Sequence, residues 1–196
     1  MTLNVGVVCS ANVCRSPMAA ALIQEQAVDY GLDVGVQSAG MIGGGRRVDP
    51  AVLRAMDRRG IDLDGHRSLA LADLDLDTFD LLLTMERDHL RGVVVIDPAL
   101  WGRTFTLKEY VRRADDADGR RPDEPWADWL DRLGRGRGRG DLLGEGDADD
   151  VRYPAPPTLR AVEATARELS RLADEVLTRS FRATAIERPP ATPSNT

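Results

Sequence analysis

The chain is short of the residues that build specialised frameworks. Its 196 residues include two cysteines, two histidines, and three each of Trp, Tyr and Phe; among 26 basic residues only Lys108 is a lysine. Both cysteines, Cys9 and Cys14, fall within the first fourteen residues, so no disulfide framework stapling distant segments is available. Two Cys and two His are too few soft ligands for a closed structural zinc site, and neither metal nor cofactor is expected. No apolar run approaches membrane-spanning length, and Met1 to Val8 is too short for a signal peptide. The expectation is a cytoplasmic protein without a membrane partner. A net charge of −6 gives no electrostatic case for a nucleic-acid partner. The chain is nevertheless 42% hydrophobic, enough for a core built on Leu, Val, Ala and Ile.

Strand and helix signals alternate through the first two thirds of the chain. Leu3 to Val8, Val34 to Ser38, Phe79 to Met85 and Arg103 to Leu107 read as buried strands. Met18 to Tyr30, stopped by Gly31, and Ala51 to Arg59, closed by Gly60, read as helices; Glu86 begins another. Ser16-Pro17 matches the preferences of a helix start. This order predicts an α/β fold in three layers, with a central four-stranded parallel sheet flanked by helices. A single domain over residues 1–183 is expected, with an inserted, partly flexible segment at about 113–149. Within it Trp126, Trp129, Leu130 and Leu133 follow helical spacing, while Gly134 to Asp149, with its Arg-Gly repeat, reads as a mobile, solvated loop. Thr158 to Arg179 is an amphipathic helix, and residues 184–196 read as a disordered tail.

The chemistry concentrates after the first strand, where parallel sheets bind ligands. That loop reads Cys9-Ser10-Ala11-Asn12-Val13-Cys14-Arg15-Ser16. A short loop curled on itself aims successive N–H groups at one point, and a following helix adds its own free N–H groups. Arg15 supplies a planar fork for two phosphate oxygens. Cys9, at the base of the loop, sits in a field that favours thiolate, a nucleophile aimed at phosphorus. Ser10, Ala11, Asn12, Val13, Cys14, Arg15 and Ser16 are the candidate phosphate-binding residues.

The run Val7 to Ala19 (VVCSANVCRSPMA) resembles the signature of the low-molecular-weight protein-tyrosine phosphatases. The resemblance continues through Gln37-Ser38-Ala39-Gly40, Val48-Asp49-Pro50, Gly65-His66-Arg67-Ser68 and Asp80 to Met85. It implies that Cys9 becomes a phosphocysteine, that Arg15 holds the phosphate, and that Ser16 hydrogen-bonds the Cys9 thiolate. It further implies that Asn12 braces the loop with Ser38 and His66, and that Cys14 is a second thiol able to pair reversibly with Cys9. The substrate is then a phosphorylated protein, on phosphotyrosine, or a small phosphate ester. His89 matches nothing functional and is expected on a helix surface.

The chain departs from the family where its general acid is an aspartate followed by proline. Here the stretch reads Asp149-Asp150-Val151-Arg152-Tyr153-Pro154, which puts Tyr153 at the acid's position. A phenol with a pKa of about 10 donates a proton but is a poor base. Asp150 is the candidate replacement and Asp149 a second. Ala11 stands where glycine is common, and Tyr153 is the only obvious aromatic lip for a phosphotyrosine ring. Two other readings follow: a phosphate- or phosphoprotein-binding module that has lost turnover, and an arsenate reductase. The second needs further cysteines, and none follows Cys14.

Overall fold

The protein is described by a computed structural model covering residues 2–144 and 146–181. Four strands, β1 (Leu3–Cys9), β2 (Val34–Gly40), β3 (Leu81–Thr84) and β4 (Thr104–Thr106), form one sheet in the order β2-β1-β3-β4. Every pairing is parallel, running from Leu3↔Val34 to Cys9↔Gly40 on one side of β1 and from Val5↔Leu81 to Val8↔Thr84 on the other. Alternation along the strands builds two apolar layers. Val5, Val7, Cys9, Leu81 and Leu83 join the larger cluster; Val8, Leu82 and Ala39 join the smaller.

The larger face is covered by α1 (Arg15–Asp29), α2 (Pro50–Asp57), α4 (Leu107–Asp116) and α7 (Leu159–Ser180); α3 (Arg87–Ile96) sends Val93 into the smaller. The result is the expected three-layer α/β fold. On α7 the apolar stripe Val162, Ala166, Leu169, Leu172 and Val176 is buried against the core, as its spacing predicts. Gly31 (φ +66°) and Gly60 (φ +80°) adopt the left-handed conformation that turns the chain out of α1 and α2.

Two sequence readings need correction. Helix α1 begins at Arg15 rather than Met18, with Cys14 at the cap, so Ser16 lies inside the first turn instead of capping it. Its hydroxyl is thereby released for the loop. The stretch 134–149 is also not simply a solvated loop. It carries α6 (Arg139–Leu143), preceded by α5 (Trp126–Gly134).

Gly136 (φ +77°) turns the chain inward and Arg137 enters the core, its side chain 1% exposed. The guanidinium lies 3.6 Å from the Trp101 ring centroid and donates to the Trp101 and Thr104 carbonyls and to Glu109 Oε1 (3.0 Å). A buried charge is tolerated when paired and hydrogen-bonded to this extent. The proposed tail at 184–196 lies outside the described residues.

Candidate active site

The carboxyl ends of β1 and β2 place Cys9 beside Gly40, and the loop 10–14 folds over that edge. The approach leaves no room for a side chain on β2's last residue: a Cβ on Gly40 would stand 2.8 Å from the Ala11 carbonyl carbon. Asn12, at φ +52°, takes the left-handed turn that curls the loop. Its Nδ2 donates to Ser16 Oγ (3.0 Å) and Ser38 Oγ (2.8 Å), while its Oδ1 accepts from the Leu69 N–H (2.9 Å). The Asn12 carbonyl oxygen lies 3.0 Å from His66 Nε2. The four residues read from the sequence as a supporting network are therefore brought together.

Cys9 Sγ lies 3.0 Å from Ser16 Oγ and accepts from the Asn12 N–H at 3.3 Å. Because Ser16 Oγ accepts from Asn12, its own proton is directed to Sγ or to the more distant Ala39 carbonyl (3.3 Å). Cys14 is a buried free thiol, pushed up to about 12 by burial and by Cys9 beside it.

Arg15 is buried, and its orientation is set by partners distant in sequence. Nη1 pairs with Glu86 Oε1 and donates to the Val151 carbonyl (2.8 Å); Nη2 lies 3.5 Å from Ser10 Oγ. Its Nε has no partner among the described residues. A buried guanidinium nitrogen left without a protein acceptor is suited to an incoming anion.

A cavity of about 450 Å³ opens here, lined by Cys9, Ser10, Ala11, Val13, Cys14, Arg15, Arg46, Glu86 and Tyr153. Glu86 and Arg46 were not singled out by the sequence reading. A larger concavity, about 660 Å³, lies along Arg121 to Arg135, and its lining contains no Cys, Ser or Thr.

His89 is corrected: it is buried, not on a helix surface, and its Nε2 lies 2.8 Å from Ser10 Oγ and 3.5 Å from Glu86 Oε2. Burial lowers its pKa to about 4 despite Glu86 beside it.

Tyr153 stands at the mouth with its ring centroid 5.6 Å from the Arg15 Cζ. Burial first, then Cys14 and Asp49, push its phenol above the ordinary value. Asp150 does not line the cavity. Its Oδ1 accepts from the Arg87 N–H (2.9 Å) at the start of α3, and burial raises its carboxyl. Asp149 is paired with Arg112 at 2.7 Å. Among the described residues, no group of three or more His, Cys, Asp or Glu is arranged to hold a metal, and no helix is long and apolar enough to cross a membrane.

Comparison with known proteins agrees with this geometry. Residues 4–127 match the family model described as low molecular weight phosphotyrosine protein phosphatase. A protein-arginine-phosphatase of Bacillus subtilis is 34% identical over 110 residues, 56% of this chain and 73% of the relative. The low molecular weight protein-tyrosine-phosphatase Etp of Escherichia coli K12 is 31% identical over 115 residues, 57% and 74% of the two chains. A YwlE arginine phosphatase, solved as a cysteine-to-serine mutant with a phosphorylated active-site serine, superposes with a TM-score of 0.68 at 26% identity, covering 92% of this chain and 99% of that one. With its Cys9 loop, its four-stranded sheet and these matches, the chain belongs to the low molecular weight phosphotyrosine protein phosphatase family.

Proposed function

We propose that this protein hydrolyses phosphate monoesters, protein phosphotyrosine among them, through a phosphocysteine on Cys9. The observation that carries the reading is that Arg15, whose buried Nε has no partner among the described residues, lines the same cavity as Cys9. Phosphate oxygens are held by that guanidinium edge and by the loop N–H groups. Cys9 Sγ attacks phosphorus, the P–O bond breaks, and the leaving oxygen takes the electron pair. Water then attacks the phosphocysteine and sulfur departs, its charge met by the Ser16 hydroxyl and the Asn12 N–H.

Glu86 holds Arg15 in place, and Asp150 serves as a helix cap. A binding module and an arsenate reductase are not favoured: the relatives described above are named phosphatases, and Cys14 is the last cysteine.

The test is 4-nitrophenyl phosphate turnover, with rapid quench and mass spectrometry for a phosphorylated Cys9. Turnover abolished in Cys9→Ser, with the adduct trapped in the parent, is expected. Turnover that survives Cys9→Ser, or a parent that binds phosphate without turnover, overturns the reading.

A further inference from the structure

The lining of the cavity includes a phenol and a second arginine besides Arg15. Tyr153 and Arg46 line it, and Arg46 is held by its backbone, its N–H donating to Ser68 Oγ and its carbonyl accepting from the Ser68 N–H. The carboxylates around the site are already engaged, Glu86 within the cavity lining itself and Asp49 at the Ala51 N–H included. Asp149 is on Arg112, Asp150 is on the Arg87 N–H and outside the lining, and Glu86 faces Arg15 and His89. A phenolate or alkoxide departs slowly without a proton, whereas a carboxylate, conjugate base of an acid of pKa about 4, needs none.

We propose that the preferred substrate of this site is an acyl phosphate, whose carboxylate leaves unprotonated between Arg46 and the Tyr153 phenol. The inference rests on the phosphocysteine reading and narrows its substrate. In the first step the Cys9 S–P bond forms and the acyl O–P bond breaks, the electron pair going to the departing carboxylate. That carboxylate accepts a hydrogen bond from Tyr153 and is neutralised by Arg46; no proton is transferred. In the second, water adds to phosphorus, the S–P bond breaks, sulfur leaves as thiolate, and both water protons remain on the product dihydrogen phosphate. No oxidant, metal or general base is required for the balance.

The experiment compares acetyl phosphate with aryl phosphates running from 4-nitrophenyl to phenyl phosphate, on the full chain. In the parent, kcat/KM is expected to fall steeply as the phenol becomes more basic. Acetyl phosphate should exceed phenyl phosphate by at least about 100-fold, the low end of what a positioned proton donor supplies to a basic leaving group. Tyr153→Asp should flatten the aryl series and narrow that gap. Tyr153→Phe should keep the series steep and slow acetyl phosphate, as should Arg46→Ala. Tyr153 is 44% exposed, so these changes leave the core intact.

A shallow aryl series in the parent overturns the inference while leaving the phosphatase intact. If Glu86→Gln then makes it steep, the acid is Glu86. Absence of hydrolysis on every substrate is the distinct failure of the phosphocysteine reading itself.

Discussion

Ser10 and His89 are joined by a 2.8 Å hydrogen bond that ties the loop after β1 to the first turns of α3. The His89 Nδ1 has no partner among the described residues, and a buried donor without an acceptor is costly. The neutral ring therefore carries its proton on Nε2 and donates to Ser10 Oγ. That leaves the serine's own proton for an oxygen in the cavity that Ser10 lines. Glu86 and His89 are three positions apart, so the first turn of α3 and its cap deliver both to the same site.

This ring makes stability depend on pH. In the folded protein His89 titrates at about 4, whereas in the unfolded chain it titrates near its ordinary value of about 6.5. Between those values the unfolded chain binds the extra proton. The associated stability is thus present above pH of about 6.5 and is lost as pH falls toward 4, up to about 3 kcal/mol. Urea unfolding of the parent and of His89→Asn at pH 7, 5.5 and 4.5 measures it: the variant should lack this part of the slope. Parallel slopes would contradict a buried neutral ring.

Arg137 should be distinct from the other arginines of its repeat. Arg137→Ala removes a buried partner of Glu109, itself 5% exposed, and is expected to cost about 3 kcal/mol. Arg137→Lys should recover little of it, because an ammonium does not match the planar stack on Trp101. Arg135→Ala and Arg139→Ala should each stay within about 0.5 kcal/mol. Chemical denaturation of the four variants provides the comparison.

The two cysteines should differ in reactivity. With its thiol held near 12, Cys14 stays protonated at pH 8 and should alkylate at least about 100-fold more slowly than an ordinary thiol. Iodoacetamide followed by mass spectrometry is expected to give one adduct, on Cys9, in the folded parent and almost none in Cys9→Ser. Unfolding in urea should expose the second site.

Gly40→Ala tests the close approach of β2 to the loop. Its added carbon would stand 2.8 Å from the Ala11 carbonyl carbon and 2.9 Å from the Asn12 nitrogen, both backbone atoms that cannot swing away. Loss of about 1–3 kcal/mol is expected. The loop N–H groups would also be displaced, so kcat/KM on 4-nitrophenyl phosphate should fall more than Tm alone predicts.

The sheet was legible because its strands announce themselves as short apolar runs, and the loop because nucleophile, arginine and helix start lie together in sequence. Helix α1 was misplaced by one turn, since a Ser-Pro pair fits either the cap or the first turn. Asn12 and Ser16 lie in the loop itself, but their network with Ser38 and His66 is reachable only through the family resemblance. Glu86, Arg46 and His89 carry no local signal. Each is defined by what it meets across the sheet edge, and periodicity reports a residue's own helix face, not the neighbour opposite. Arg137 was hidden for a related reason. Composition describes a repeat as a whole, while a single left-handed turn at Gly136 decides which arginine goes inside.

The Val151 peptide is pinned on both sides, its N–H on the Met85 carbonyl (2.7 Å) and its own carbonyl on Arg15. Arg137 fastens the chain again some way upstream. The stretch between them is itself fastened to its surroundings, through Asp149 on Arg112, Asp150 on the Arg87 N–H, and the Leu142 and Gly144 carbonyls on Arg91. Helix α3 in turn reaches the loop after β1 through His89 and Ser10. The segment is thus a buttress for α3, and a change in its length would be passed along that helix to the loop.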